Sequence, residues 1–184
     1  GFEIVDSISK ENEQIEISFD DAWAGIYDNI EIIKRLEIPI RIFVITSLMG
    51  SENYLSKKKI IELNKNPLVN FQSHTHTHPD LPMLSDKDLE FELSESKNIL
   101  EGICNKDIDE VCYPMGLFCK RTIEAAKKAG YKVQYSSIPG VFHVREYPAV
   151  INRSLVQFAK EEEFRAILKG GDYILSLWYK IKHF

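Results

Sequence analysis

Two adjacent carboxylates, Asp20 and Asp21, stand at the end of an apolar run. Neighbouring residues at a strand end point in different directions, so such a pair can divide into one metal ligand and one base. Asp is equally at home capping a following helix, which leaves a purely structural role open. A second cluster, Ser73-His74-Thr75-His76-Thr77-His78-Pro79-Asp80, places three of the chain's five histidines within five positions. Imidazole is a leading ligand for zinc and related ions. Histidines four apart meet on one helical turn or converge from a bent loop, and Pro79 favours the loop, whereas an extended run would turn all three rings to one side. The third cluster, Cys112-Tyr113-Pro114-Met115-Gly116, has the Pro and Gly of a tight turn. Its backbone N–H groups could serve an oxyanion, and a plain turn explains the residues as well.

These clusters need elements to hold them, and runs of strand length alternate with helical patterns along most of the chain. Residues 14–19 read as the first strand. Residues 23–36 follow as a helix, with Ile26, Ile30, Ile33 and Leu36 at helical spacing and Pro39 beyond its end. Strands are expected at 41–46, 68–72, 109–112 and 131–136, with helices at 55–64 and 122–129, the latter stopped by Gly130. Ser85 and Asp88 form a capping box for a helix that buries Leu89, Leu93 and Leu100 on one stripe. Beyond that, 137–147 reads as an irregular loop, 149–155 as a strand, 161–168 as a helix and 173–184 as an amphipathic segment. The alternation predicts a parallel α/β architecture, and all three clusters fall just after strands, the edge where loops converge into active sites.

The chain has 184 residues, which fits a single domain over 1–184. Hydrophobic residues make up 44% and charged residues 28%, enough to bury a core. With 23 basic and 28 acidic side chains the formal charge is −5, so a nucleic-acid partner is not expected. No apolar stretch approaches the roughly 20 residues of a membrane span. Cys104, Cys112 and Cys119 are too few and odd in number for a disulfide framework, which favours a reduced compartment and hence the cytoplasm. Residues 1–10 lack the pattern of a secretory signal, but the chain begins with Gly1 rather than Met, so an extracellular location follows if its start was trimmed.

Taken in order, Ile17-Ser18-Phe19-Asp20-Asp21, then Ser73-His74-Thr75-His76-Thr77-His78-Pro79, then Tyr113-Pro114-Met115-Gly116 resemble the first three motifs of the polysaccharide deacetylase family, the NodB-homology enzymes of carbohydrate esterase family four. The similarity covers roughly 15–155. It implies a distorted (β/α) barrel of about seven mostly parallel strands. It implies a hydrolase of carbon–nitrogen bonds other than peptide bonds, which removes N-acetyl groups from a glycan or amino-sugar substrate. Carried over by position, Asp21, His74 and His78 hold a divalent metal, zinc first, with cobalt, nickel or manganese as alternatives. Asp20 is the general base, and Met115 lies where a backbone N–H helps bind the oxyanion. His76 lies between the ligand positions and is not carried over.

The chain also departs from the family pattern. Cys112 stands where many members carry the Arg that partners the base, and Arg153, in Ile151-Asn152-Arg153-Ser154, resembles a late arginine that replaces it. No Leu-x-His motif supplies the general acid, which leaves His143 as the candidate ahead of His183. Trp23 and Tyr113 lie beside the motifs and could stack on a sugar or pack in the core. Two other readings follow from the same residues. One is a different metallohydrolase in which His74-x-His76 is the ligand pair, and the other is a glycan-binding relative that kept the metal site and lost the acid.

Overall fold

Ile40–Val44 is buried along its whole length, as a parallel strand covered on both faces must be. It belongs to a computed structural model that describes residues 1–9, 13–140 and 149–171. In chain order the elements are β1 (Glu3–Ile4), β2 (Gln14–Ile15), β3 (Ser18–Phe19), α1 (Gly25–Asp28), α2 (Ile30–Arg35), β4 (Ile40–Val44), α3 (Lys57–Leu63), β5 (Val69–Ser73), α4 (Asp86–Cys104), β6 (Glu110–Cys112), α5 (Lys120–Lys128), β7 (Val133–Tyr135), β8 (Val150–Ile151) and α6 (Glu161–Ile167). Strands β3 to β8 form one six-stranded sheet in sequential order, every neighbouring pair parallel. The short strands β1 and β2 pair with each other in a separate parallel ribbon.

The sheet curls, and strand alternation sorts its side chains onto two faces. Ile40, Ile42 and Val44 of β4 join Val69, Phe71, Val111, Val150 and the apolar stripe of α4 in the larger core. Phe43, Cys112, Tyr135 and Ile151 form a smaller cluster on the concave side. Arg41 is also buried, and its guanidinium meets Glu16 and Glu110 in ion pairs. A buried cation without such partners would be prohibitive. Between the two outer strands, Arg153 Nη1, just past β8, donates to Ser18 Oγ of β3 at 2.8 Å. That is a barrel left open between β3 and β8 among the described residues, with six strands in the main sheet.

Several elements differ from the sequence expectation. The run at 14–19 splits, with its first half pairing with β1 and its second with β4. Between them Glu16 turns in to Arg41 while Arg41 N–H donates to Ile17 O. The helix over 23–36 breaks at Asn29, whose side-chain amide donates to Gly25 O at 2.8 Å and so competes with the helical ladder. Leu36 then falls beyond the last turn and stays 56% exposed instead of entering the core. Helix α4 starts after Ser85 as expected, with Ser85 Oγ accepting from Asp88 N–H at 3.2 Å and the Asp88 carboxylate accepting from the Ser85 hydroxyl. No helix among the described residues is long and apolar enough to cross a membrane. The expected loop over 137–147 is described only to residue 140, and the amphipathic segment over 173–184, His143 and His183 lie outside the described residues.

Candidate metal centre

The chain leaves β3 through backbone that L-residues seldom adopt. Asp21 has φ 68° and Ala22 φ 59°, the left-handed region that Asp tolerates and Ala resists. The turn swings the Asp21 carboxylate toward the imidazoles that follow β5, where Oδ1 lies 3.5 Å from His74 Nε2 and 3.8 Å from His78 Nε2. The two rings meet edge to face with centroids 4.9 Å apart. Asp21 Oδ1 is itself buried and receives no hydrogen bond from any described residue. A bare buried carboxylate oxygen facing two ring nitrogens is costly unless a cation joins them, so this donor set fits a divalent metal.

Two of the three candidate ligands, His74 and Asp21, are oriented by a second contact, as metal-binding side chains generally are. His74 is 2% exposed, and its Nδ1 lies 2.7 Å from Cys112 O. Because a carbonyl only accepts, Nδ1 carries the proton and the lone pair of Nε2 is left for the metal. Burial pushes the His74 pKa down, which keeps the ring neutral as a ligand must be. Asp21 Oδ2 accepts from Trp23 Nε1–H at 3.2 Å, so the carboxylate presents Oδ1 inward.

The histidine loop is a bent one. Thr75 (φ 66°) and His78 (φ 63°) both sit in the left-handed region, and for a β-branched residue such as Thr75 that is a true outlier. Strain of this kind persists only where the surroundings over-determine it. Here Thr75 Oγ1 accepts from His78 N–H at 3.2 Å, and Ser47 N–H donates to His76 O at 2.9 Å. The two kinks bring His74 and His78 together and send His76 elsewhere. Its Nδ1 lies 2.8 Å from Thr46 Oγ1 and its ring stands edge-on to Phe91. The arrangement with all three rings on one side, and the one that makes His76 a ligand, therefore do not occur.

Glu92, on α4, is the residue that sequence reasoning missed. It is buried, with Oε2 accepting from His76 N–H at 2.9 Å and Thr77 N–H at 2.8 Å, while Oε1 accepts from Thr77 Oγ1 at 2.5 Å. The signal was an acid three residues after Leu89 and four before Ser96, inside the buried stripe of the helix. Only a carboxylate accepts all three donors. Glu92→Gln is expected to lower metal affinity ten- to a hundredfold, in the range of other outer contacts to metal ligands. Competition with a chromophoric chelator measures it, and an unchanged affinity would show that the loop holds without this cap.

Asp20 lies beside the ligand trio, with a carboxylate oxygen within 4.8 Å of a His74 ring nitrogen, and is held there by a salt bridge. Arg153 Nη1 donates to Oδ1 and Nη2 to Oδ2, both at 2.8 Å. Burial, the largest single effect, acts to raise the Asp20 pKa, but the Arg153 charge and hydrogen bonds together with His74 and His78 outweigh it and hold the carboxyl at about 2. Arg153 Nε donates to Ser136 O at 3.1 Å, and the guanidinium sits 5.0 Å from the Phe43 ring centroid. Arg153 Nη2 also reaches Cys112 Sγ at 2.7 Å. The small Cys112 side chain thus leaves room for the guanidinium, which reaches it from just past β8 on the same face as Phe43 and Tyr135. Burial pushes its thiol pKa well up, so it stays protonated.

The third cluster is a single turn of 3₁₀ helix at Pro114–Gly116, with Met115 at φ 55° and half exposed. Gly116 has φ 69°, and a Cβ there would lie 2.7 Å from Ser137 N, so glycine is required. Of the two aromatic candidates, Tyr113 is core, fully buried with its hydroxyl donating to Gln134 Oε1 at 2.6 Å. Trp23 is on the surface beside Asp21. Among the described residues the metal-competent groupings are Asp21-His74-His78 and Asp20-His74-Cys112. In the second, the Arg153 cation already occupies both Asp20 oxygens.

The family model described as polysaccharide deacetylase matches residues 7–134. The chain is similar to the poly-beta-1,6-N-acetyl-D-glucosamine N-deacetylase of Staphylococcus aureus, with 32% identity over 134 residues, covering 65% of this chain and 46% of that protein. It is also similar to two solved structures at 25% identity. One is the Streptococcus pyogenes deacetylase PplD in complex with acetate, with a TM-score of 0.78 over 85% of this chain and 70% of that one. The other is a polysaccharide deacetylase from Bacillus cereus, with a TM-score of 0.80 over 91% and 56%. The chain spans less than half the length of the curated relatives it matches, 44% and 46% for two of them.

Proposed function

The chain belongs to the polysaccharide deacetylase family, and from that premise we propose that it removes acetyl groups from N-acetylated sugars of a glycan with a divalent metal held by Asp21, His74 and His78. The observation that carries the metal-dependent part is the buried, unbonded Asp21 Oδ1 facing the Nε2 atoms of both histidines. The Staphylococcus aureus relative is named for N-deacetylation of an N-acetylglucosamine polymer, and the Streptococcus pyogenes deacetylase holds acetate, the fragment such a reaction releases.

When bound, a divalent ion at this trio polarises the amide carbonyl and acidifies water, and three protein ligands leave coordination open for both, unlike a closed structural site. The rest falls to the chain's own groups. Asp20 accepts the proton of the attacking water. Each of its oxygens spends one lone pair on Arg153 and keeps another for this purpose. A carboxyl near 2 is a weak base by itself, so Arg153 acts mainly to hold Asp20 ionised and correctly aimed. The Met115 N–H, presented by its left-handed turn, stabilises the developing oxyanion, a donor class worth about 10²–10³ in rate. His143, the candidate proton donor to the leaving amine, lies outside the described residues.

Acetate release from N-acetylglucosamine oligomers tests the reading directly. Chelator-treated protein is expected to be inactive, and zinc, cobalt, nickel or manganese to restore release in some order. Full activity in metal-free protein would overturn the metal-dependent mechanism.

A further inference from the structure

The Trp23 indole is fixed on two sides. Its Nε1–H donates to Asp21 Oδ2, and its ring stacks on Tyr54 with centroids 4.6 Å apart and planes 23° from parallel. The backbone binds the same two loops together. Trp23 and Tyr54 form an antiparallel bridge, Ala24 N–H donates to Asn53 O at 2.7 Å, and Leu55 N–H donates to Ala22 O at 2.9 Å. Even so, Trp23 remains 46% exposed. Isolated exposed hydrophobics need no explanation, but a large indole held rigid against a metal ligand and open to solvent is a prepared surface. Its ordering is complete before anything binds, so a partner meets it without that entropic cost.

Resting on the deacetylase reading above, we propose that the outward face of Trp23, backed by Tyr54, is a docking platform for the pyranose ring next to the sugar whose acetyl group is removed. A pyranose carries a face of C–H groups that an aromatic ring meets by dispersion, apolar burial and weak C–H contacts, without any hydrogen-bond donor of its own. The polar edge of the same indole rests on Asp21 and fixes the platform relative to the metal centre. One side chain therefore orients a metal ligand and sets the register of the glycan. Single sugars cannot span both positions, so the platform makes the site selective for chains.

Calorimetry on metal-loaded Asp20→Asn protein separates glycan binding from turnover, with N-acetylglucosamine tetramer and monomer as probes. Adding Trp23→Ala or Tyr54→Ala is expected to weaken tetramer binding about tenfold and to erase the preference for tetramer over monomer. Trp23→Phe keeps an aromatic face and loses only the N–H donor. It is expected to retain most of the tetramer affinity while metal affinity falls about tenfold in chelator competition. Tetramer affinity unmoved by Trp23→Ala at full metal loading overturns the platform, and so does Trp23→Phe losing tetramer binding as fully as Trp23→Ala. Should Trp23→Ala not fold, Tyr54→Ala carries the same test. Tetramer binding without acetate release by the unsubstituted protein would overturn the deacetylase reading while leaving the glycan-docking surface standing.

Discussion

Asp20→Asn is expected to keep its metal and lose acetate release by about 10²–10⁴-fold, the usual contribution of a positioned general base. The carboxylate takes no part in the Asp21-His74-His78 trio, and both of its oxygens are engaged by Arg153 instead. The amide is close in shape and still accepts one Arg153 donor. It cannot take a proton at neutral pH, and its NH₂ faces the second guanidinium donor. Metal content after dialysis together with initial rates of acetate release checks both halves of the result. Loss of metal in step with activity would mean that the two carboxylates have the opposite roles.

His74→Ala should show the reverse order, with metal lost first and activity gone as a consequence. The ring is buried, its Nε2 is one of the two imidazole donors, and its Nδ1 proton is the partner of Cys112 O. Truncation removes a ligand, opens a cavity and orphans a carbonyl at once, so a thermal melt must accompany the metal assay. A metal present at about 100 times its Kd stabilises a protein by about 2.7 kcal/mol, or about 5–10 °C in melting temperature at this chain length. Zinc should raise the melting temperature of the unsubstituted protein by that order and leave His74→Ala unmoved. His76→Ala is the control, because that ring bonds Thr46 outside the trio, and it should respond to zinc normally. A zinc response lost in His76→Ala and kept in His74→Ala would reassign the ligand pair.

Much of the arrangement is local, and local chemistry is legible in a sequence. Alternating strand and helix patterns determined a parallel α/β sheet, the Ser85–Asp88 pair marked the start of α4, and every chemical cluster lies at the C-terminal edge of a strand. The density of carboxylate and imidazole marked two of those clusters as a candidate metal site, and the resemblance to the polysaccharide deacetylase motifs singled out Asp21, His74 and His78. Periodicity could not see where a strand changes partner, and so the run at 14–19 divides at Glu16, a residue drawn inward by Arg41 from another strand.

The division of labour within the site is tertiary. Nothing in His74-Thr75-His76-Thr77-His78 states which rings converge. That follows from two left-handed residues held by Glu92 and Ser47, contacts from helices and turns elsewhere in the chain. Nor does Asp20-Asp21 state which carboxylate is free for a metal. Arg153 claims Asp20 from 133 positions away, across the open side of the barrel, and Trp23 aims Asp21 at the histidines. Residue types fix which groups can ionise or coordinate, because that is covalent chemistry. Which of them face one another is set by long-range packing, where an unpaired buried charge is too costly to persist and each one is matched by whatever the fold brings within reach.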